Sequence, residues 1–424
     1  MKNIVRIWMY LPVALLVLLL SVPASQGADP SSDWASWRPV DGNNTIPAGD
    51  YPVTWNAEQN VAWKIELPEA GNSTPIVKGE RIFVTQAVTE GKKRGIMCFR
   101  STDGKLLWQD FVSQEVDEET HKTNPYCSGS AAVHGNTVVA WLGNSGVSAW
   151  TLDGEKRWHK ELGPVDHVFG YGTSPVIYNN TVYLNFGPGK HIFVVALDLT
   201  TGKEKWRIPV TVDRQRYGDR PIQGSYATPV FAANDQGQVE MITTFPGYII
   251  SLDPATGKER WRCGGADYNF HGSPAVQDNI VVALGGYLYE SIAVRMGGSG
   301  DVTGTHRLWQ HEKKLNTVST PVIVGEHFYR SSGNFISCHE LKTGKETWKA
   351  RYSKTETWAS PTQVGDLIYL VDKSATTTVF KANSEKFEVV HVNPTENVMT
   401  NGSLAFANGA VYLRTHKHLW KFEE

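Results

Sequence analysis

Residues 253–261 read DPATGKERW, and the chain repeats the stretch as DLTTGKEKW at 198–206 and ELKTGKETW at 340–348. Looser copies stand at 103–108 (DGKLLW) and 153–158 (DGEKRW). Each reads as a hairpin turn, with Gly at its tight point, feeding a strand that carries Trp. A turn repeated this often points to a repeat architecture, and the spacing of the copies decides which one.

Aligning the copies exposes a second recurring stretch upstream. It reads STPIVKGERIFV (73–84), TSPVIYNNTVYL (173–184), ATPVFAAND (227–235), GSPAVQDNIVVA (272–283), STPVIVGEHFYR (319–330) and ASPTQVGDLIYL (359–370). Weaker copies are GSAAVHGNTVVA (129–140) and GSLAFANGAVYL (402–413). The starts lie roughly 40 to 55 residues apart, the range of propeller blades. Each unit parses into four strands: a short apolar one after Ser/Thr-Pro, a tight turn, a second strand with period-2 alternation, a third, and the Gly turn into the Trp strand. Outer strands fall at Trp63, Trp108, Trp158, Trp206, Trp261, Trp309, Trp348 and near Val389. Residues 60–67 (NVAWKIEL) have no strands before them, and the last unit has no Trp strand after it. The N-terminal strand therefore completes the C-terminal blade and closes the ring. The expectation is an all-β, eight-bladed β-propeller of four-stranded antiparallel blades. It divides the chain into a leader (1–27), an N-terminal extension (28–54) and the propeller (55–424).

The 424 residues carry a net charge of −2, which gives no field to draw in nucleic acid. Lys2 and Arg6 precede an apolar run, Leu11–Leu20, and small residues follow around Gly27. That order is a secretory signal peptide, with an uncleaved anchor as the alternative. A periplasmic or secreted monomer is expected. Four cysteines remain, none in a CxxC pair. Cys98 and Cys338 share one repeat position, occupied elsewhere by Ala196, Ser251 and Ser148, which reads as a small buried site in blades 1 and 6.

The run Leu-Asp-x-x-Thr-Gly-Lys-x-x-Trp, clearest at 197–206 and 252–261, resembles the tryptophan-docking motif of the PQQ-repeat propellers. That family includes quinoprotein alcohol dehydrogenases, which carry pyrroloquinoline quinone (PQQ), and cofactor-free propellers such as the scaffold lipoprotein of outer-membrane barrel assembly. DWASWRPVDG (33–42) and NPYCSGSAAVHG (124–135) look like exported bacterial PQQ-like-domain proteins without an assigned activity. There the opening usually reads Trp-Arg-Gly-Pro, whereas Trp37-Arg38 runs straight into Pro39. In the family the Trp packs between blades, so its recurrence carries no chemistry. The dehydrogenases sandwich the quinone and hold Ca²⁺ through several oxygens, often with a disulfide between adjacent cysteines; this chain has no Cys-Cys pair. The resemblance thus implies no bound cofactor, with PQQ and Ca²⁺ as the alternative.

Function is sought where the copies stop resembling one another, in the loops joining each outer strand to the next blade. His121, Tyr126, His167, Tyr171, Arg216, Arg220, Tyr226, Asp267, His271, Asn316, Trp358 and Asn397 could converge on the channel mouth. The bland reading is that they cap the channel and bond loop backbone. No GxSxG, HExxH or phosphate-binding glycine loop occurs. His416 and His418 read as surface, His306 and His311 as edge residues, and the acidic run Glu115–Glu119 as a solvated loop or weak Ca²⁺ site. Two functions are consistent with this pattern. One is an exported, non-catalytic binding or scaffold protein that presents these loops to an envelope protein, glycan or small ligand. The other is a PQQ-dependent periplasmic alcohol or sugar dehydrogenase with Asp267 or another channel-mouth carboxylate as base.

Overall fold

Asp253 builds the turn from inside: its Oδ1 accepts the Ala255 and Thr256 N–H groups and the Thr256 hydroxyl at 2.9–3.0 Å. Gly257 then turns the chain at φ +71°, and a Cβ there would lie 2.7 Å from Cε3 of Trp206 in the preceding blade. Both demands leave only glycine. The Pro254 carbonyl of the same turn accepts the Trp206 indole N–H at 3.0 Å. Five other seams repeat the bond: Trp63 to Ser101 O, Trp108 to Leu152 O, Trp158 to Leu199 O, Trp309 to Leu341 O and Trp348 to Asn383 O. Each turn is thus the socket for its neighbour's tryptophan.

These contacts come from a computed structural model in which residues 33–114, 118–210, 224–265, 269–286, 289–315 and 318–424 are described. The expected leader lies outside the described residues. Eight antiparallel sheets succeed one another along the chain, with inner strands at Ile76–Lys78, Ala132–His134, Val176–Tyr178, Val230–Ala233, Ala275–Gln277, Val322–Val324, Thr362–Val364 and Ala405–Ala407. We number them blades 1 to 8. Val61–Glu66 pairs antiparallel with His418–Phe422 as the outer strand of blade 8, closing the ring as the repeat requires. Blade 4 gains a fifth, parallel strand, Gly300–Asp301, and blade 7 another, Thr45–Ile46.

Two seams depart from the pattern. Blade 5 replaces the Gly turn by a longer excursion with a helical turn at Thr303–His306. Trp261 accordingly donates within its own blade, to the buried Glu240 carboxylate at 2.6 Å. Blade 7 pairs His391 with Val379 where other blades place Trp. Trp55 fills that seam instead, stacked on Phe422 at 5.0 Å and on Tyr369 at 6.3 Å. The small buried position opposite Trp158 is Ala149, one residue beyond the expected Ser148. All four cysteines are buried and unpaired, Cys98 in blade 1 and Cys338 in blade 6.

The recurring Ser/Thr before the inner strand has its own task. The backbone N–H of Thr74 donates to Ser130 Oγ, Ser130 to Ser174, Ser174 to Thr228, Thr228 to Ser273, Ser273 to Thr320, Thr320 to Ser360, Ser360 to Ser403, and Ser403 back to Thr74. The circle closes on itself at 2.8–3.2 Å, one bond per seam. These N–H groups are buried and would otherwise be unsatisfied.

Inner strands leave a free edge along the channel, and residues 33–55 cover it. Trp34 exchanges two backbone bonds with Val77 of blade 1, Ala35 O accepts from Val133 of blade 2, and Val40 O from Phe231 of blade 4. Asn43 bonds Gln277 of blade 5 and Ile323 of blade 6, and Tyr51 packs edge-on against Phe406 of blade 8. Arg38, 5% exposed, donates to the Pro321 and Pro361 carbonyls, one residue from the hydroxyl circle. The gap beside it, lined by Trp37, Pro175, Val176, Thr228 and Val230, has room for about one water molecule.

Candidate functional site

On the loop face, the connections into blades 3, 4 and 5 bring three of the expected residues together. Tyr226 O–H donates to His167 Nδ1 at 2.9 Å, and its ring stacks on His271 at 5.3 Å and 10°. Phe169 N–H also donates to His167 Nδ1. Two donors on Nδ1 put the proton on Nε2, and that buried N–H meets no acceptor. His121 joins from the blade 1–2 connection, edge-on to Phe169 at 5.4 Å and bonded through Nδ1 to Thr123. Val168 and Phe169 stand exposed beside this row, at 47% and 38%.

Other members of the set brace the loops. Tyr171 is buried against Trp141 at 4.7 Å, and its hydroxyl accepts from Cys127 N–H at 3.2 Å. Tyr126 O–H donates to Glu118 O, and Arg94 lies 4.0 Å above its ring. Trp358 sits under Lys373 at 3.8 Å near blade 7, and Asn397 is exposed near blade 8, both apart from the histidine row. Arg216, Arg220, Asp267 and Asn316 lie outside the described residues.

Two bland readings need correction. Within the acidic run, residues 115–117 lie outside the described residues and Glu119 is exposed as expected, but Glu118 is not solvated: it forms a 2.6 Å ion pair with Arg94, each side chain 1% exposed. His416 and His418 are not simple surface residues; His416 Nε2 meets Asn72 Oδ1 at 3.0 Å and His418 Nδ1 meets Glu396 at 2.6 Å. His311 lies on the outer, edge strand of blade 5, Arg307–Leu315, as expected, and stacks there on Trp309 at 4.6 Å. Val168 and Phe169 were missed; their signal was two apolar residues together at the tip of a Gly-rich loop.

Burial lowers the pKa of His167 and of His271 to about 4, and the charge of His167 adds to the effect on His271. In the unfolded chain both titrate near 6.5. Below 6.5 the unfolded state therefore takes up protons that the folded state refuses until about 4. Stability falls as pH drops through that window, on the order of a few kcal/mol for the pair. Urea unfolding at pH 7, 5.5 and 4.5 should show the decline, and His167→Gln should flatten it. An unchanged slope in that variant would contradict the assignment.

An eight-bladed ring of four-stranded blades, each turn holding its neighbour's tryptophan, defines a PQQ-repeat β-propeller. The chain belongs to the family described as outer membrane protein assembly factor BamB, whose model matches residues 25–168, 151–244 and 247–419. It is similar to the BamB of Kangiella koreensis, 25% identical over 38% of this chain and 48% of that protein. It is also similar to quinohemoprotein alcohol dehydrogenase ADH-IIG of Pseudomonas putida, 26% identical over 46% of this chain and 30% of that protein. Thus the match spans less than half of either curated relative. Among solved structures, a europium-containing methanol dehydrogenase superposes with a TM-score of 0.68 at 10% identity, covering 93% of this chain and 98% of that one, a likeness of fold.

The fold therefore raises PQQ and its cation as a test. A tricyclic quinone needs a slot of roughly 300 Å³, and the channel side of the inner strands is covered here by residues 34–46. Among the described residues no three His, Cys, Asp or Glu side chains come together to hold a metal. The described residues do not fit the group.

Proposed function

We propose that this protein is an exported, non-catalytic scaffold of the cell envelope whose loop face docks another protein. The observation that carries the reading is the pairing of a self-filled axis with an exposed apolar tip, Val168–Phe169, on an otherwise braced loop face. Asn124 fixes that tip by donating to the Phe169 and Tyr171 carbonyls, so the apolar pair is presented on a fixed backbone. Exposed aromatic side chains on rigid loops are typical anchors of protein interfaces. Relatives named as outer membrane protein assembly factors support a partner in the envelope.

Capture of cross-linked envelope partners by wild-type protein, followed by titration of the recovered partner, tests the reading. Phe169→Ala with Val168→Ser should weaken binding at least about tenfold, because a central aromatic anchor is commonly worth about 2 kcal/mol or more, while leaving the thermal midpoint in place. Full binding by the double variant would remove the tip from the interface. Appearance of quinone absorbance and dye reduction with alcohols, after incubation with PQQ and Ca²⁺, would replace the scaffold by the dehydrogenase.

A further inference from the structure

The seam between blades 5 and 6 holds a buried cation that the repeat does not need. Arg330 lies on the second strand of blade 6, His327–Ser332, and is 4% exposed. Strand register places it level with Val84, Ala140, Leu184, Thr243, Ala283, Leu370 and Leu413 of the other blades. None of those seven is charged, so the frame itself closes without a cation there. Phe328, two residues earlier, stacks on Trp309 of blade 5, while Tyr329 clusters with Ile368 and Leu370 of blade 7. Alternation along a strand therefore points Arg330 at blade 5.

Two of the guanidinium nitrogens, Nε and Nη1, find no hydrogen-bond acceptor. Among the described residues no carboxylate forms an ion pair with it; the half-exposed Glu346, 3.9 Å from His339 Nε2, reaches Arg330 only through its charge. On the blade 5 side, Ser291 is fully buried, its hydroxyl has no partner, and it pairs across the strands with His311. His339 cannot serve as the missing acceptor. Its Nδ1 faces Gly344 O at 3.0 Å and its Nε2 faces the Ser337 hydroxyl at 2.8 Å, so both ring nitrogens are already bonded. The charge of Arg330 reaches both imidazoles and works with burial to lower their pKa values. A guanidinium at this depth with two N–H-bearing nitrogens unbonded and only a distant, half-exposed carboxylate is strongly unfavourable. A group that supplies negative charge and accepts hydrogen bonds removes the cost.

We propose that the blade 5–6 seam is a binding site for a small monovalent anion, held by the Arg330 guanidinium with the Ser291 hydroxyl as a second donor. A halide and a short carboxylate share this chemistry. Thermal unfolding at constant ionic strength, with chloride, bromide, formate or acetate replacing a bulky sulfonate, separates the two sources. The wild-type midpoint should rise by about 3 °C at saturating concentrations of the anion that binds. Arg330→Leu, which installs the residue found in blades 3, 7 and 8, should fold and lose that dependence. Crystals soaked in bromide should show anomalous density beside Arg330 if the halide is the ligand. A wild-type midpoint indifferent to all four anions overturns the site, as does the same dependence retained in Arg330→Leu.

Discussion

Glu118→Ala will lower the unfolding free energy by about 3–5 kcal/mol, because it strands a buried guanidinium. Arg94 donates to Glu118 at 2.6 Å and to Gly91 O at 3.2 Å, and it lies under Tyr126. The Glu118 carboxylate also accepts the Asn144 N–H at 2.7 Å, tying the loop before blade 2 to the turn at Gly143–Ser145. Removing the carboxylate breaks both the ion pair and the Asn144 bond, and leaves Arg94 buried with no counter-charge beside it. The exposed neighbour provides the control, since Glu119→Ala should stay within about 0.5 kcal/mol. Guanidinium unfolding followed by tryptophan fluorescence measures both. Replacing the pair together, with Arg94→Met and Glu118→Leu, should recover most of the loss, because the cost lies in the unpaired charge and not in the lost attraction. A loss below about 1 kcal/mol for Glu118→Ala alone would sink the argument.

Trp55→Ala should cost a similar amount, about 3–5 kcal/mol. Trp55 is 2% exposed, its backbone N–H donates to Asn393 Oδ1 at 2.9 Å, and its stacked ring, which the substitution removes, locks the N-terminal segment into a seam that lacks a docking tryptophan. Trp206→Ala, at an ordinary seam where the indole is partly exposed, should cost less. The order of the two unfolding free energies is the test, supported by limited proteolysis between residues 45 and 60. Equal losses would mean that Trp55 is one seam residue among many.

The blade count was legible because two independent signals, the Gly-Lys-Trp turn and the Ser/Thr-Pro start, repeat with one period. What the Ser/Thr does there was not legible. A hydroxyl accepting a bond from a neighbouring blade leaves the same local trace as one that caps a turn. The channel segment was read only as an extension, since DWASWRPVDG and the residues from 43 to 55 have no periodicity of their own. Its bonds go to strands of other blades, up to 340 residues away in the chain. Among the candidate residues, loop position was enough to propose His167, Tyr226 and His271, but it could not separate them from bracing residues such as Tyr171. Their partners make that distinction, one another for the row and the Cys127 backbone and Trp141 for Tyr171, and those partners meet only in the assembled ring. The same holds for Glu118, whose acidic neighbours in sequence say solvent and whose actual neighbour is an arginine 24 residues earlier.

DPATGKERW by itself determined a glycine turn and the place for a tryptophan, and its copies determined eight blades and closure. These are local properties of turn geometry and period, so they survive in the linear order of residues. The tertiary structure decided which tryptophan each turn receives: the one from the preceding blade, with Trp261 of the quoted stretch turning to Glu240 instead. It also decided that the axis is filled from within and that Arg330 faces a seam that gives two of its nitrogens no acceptor. Such facts depend on contacts between distant segments, which arise only when the ring closes.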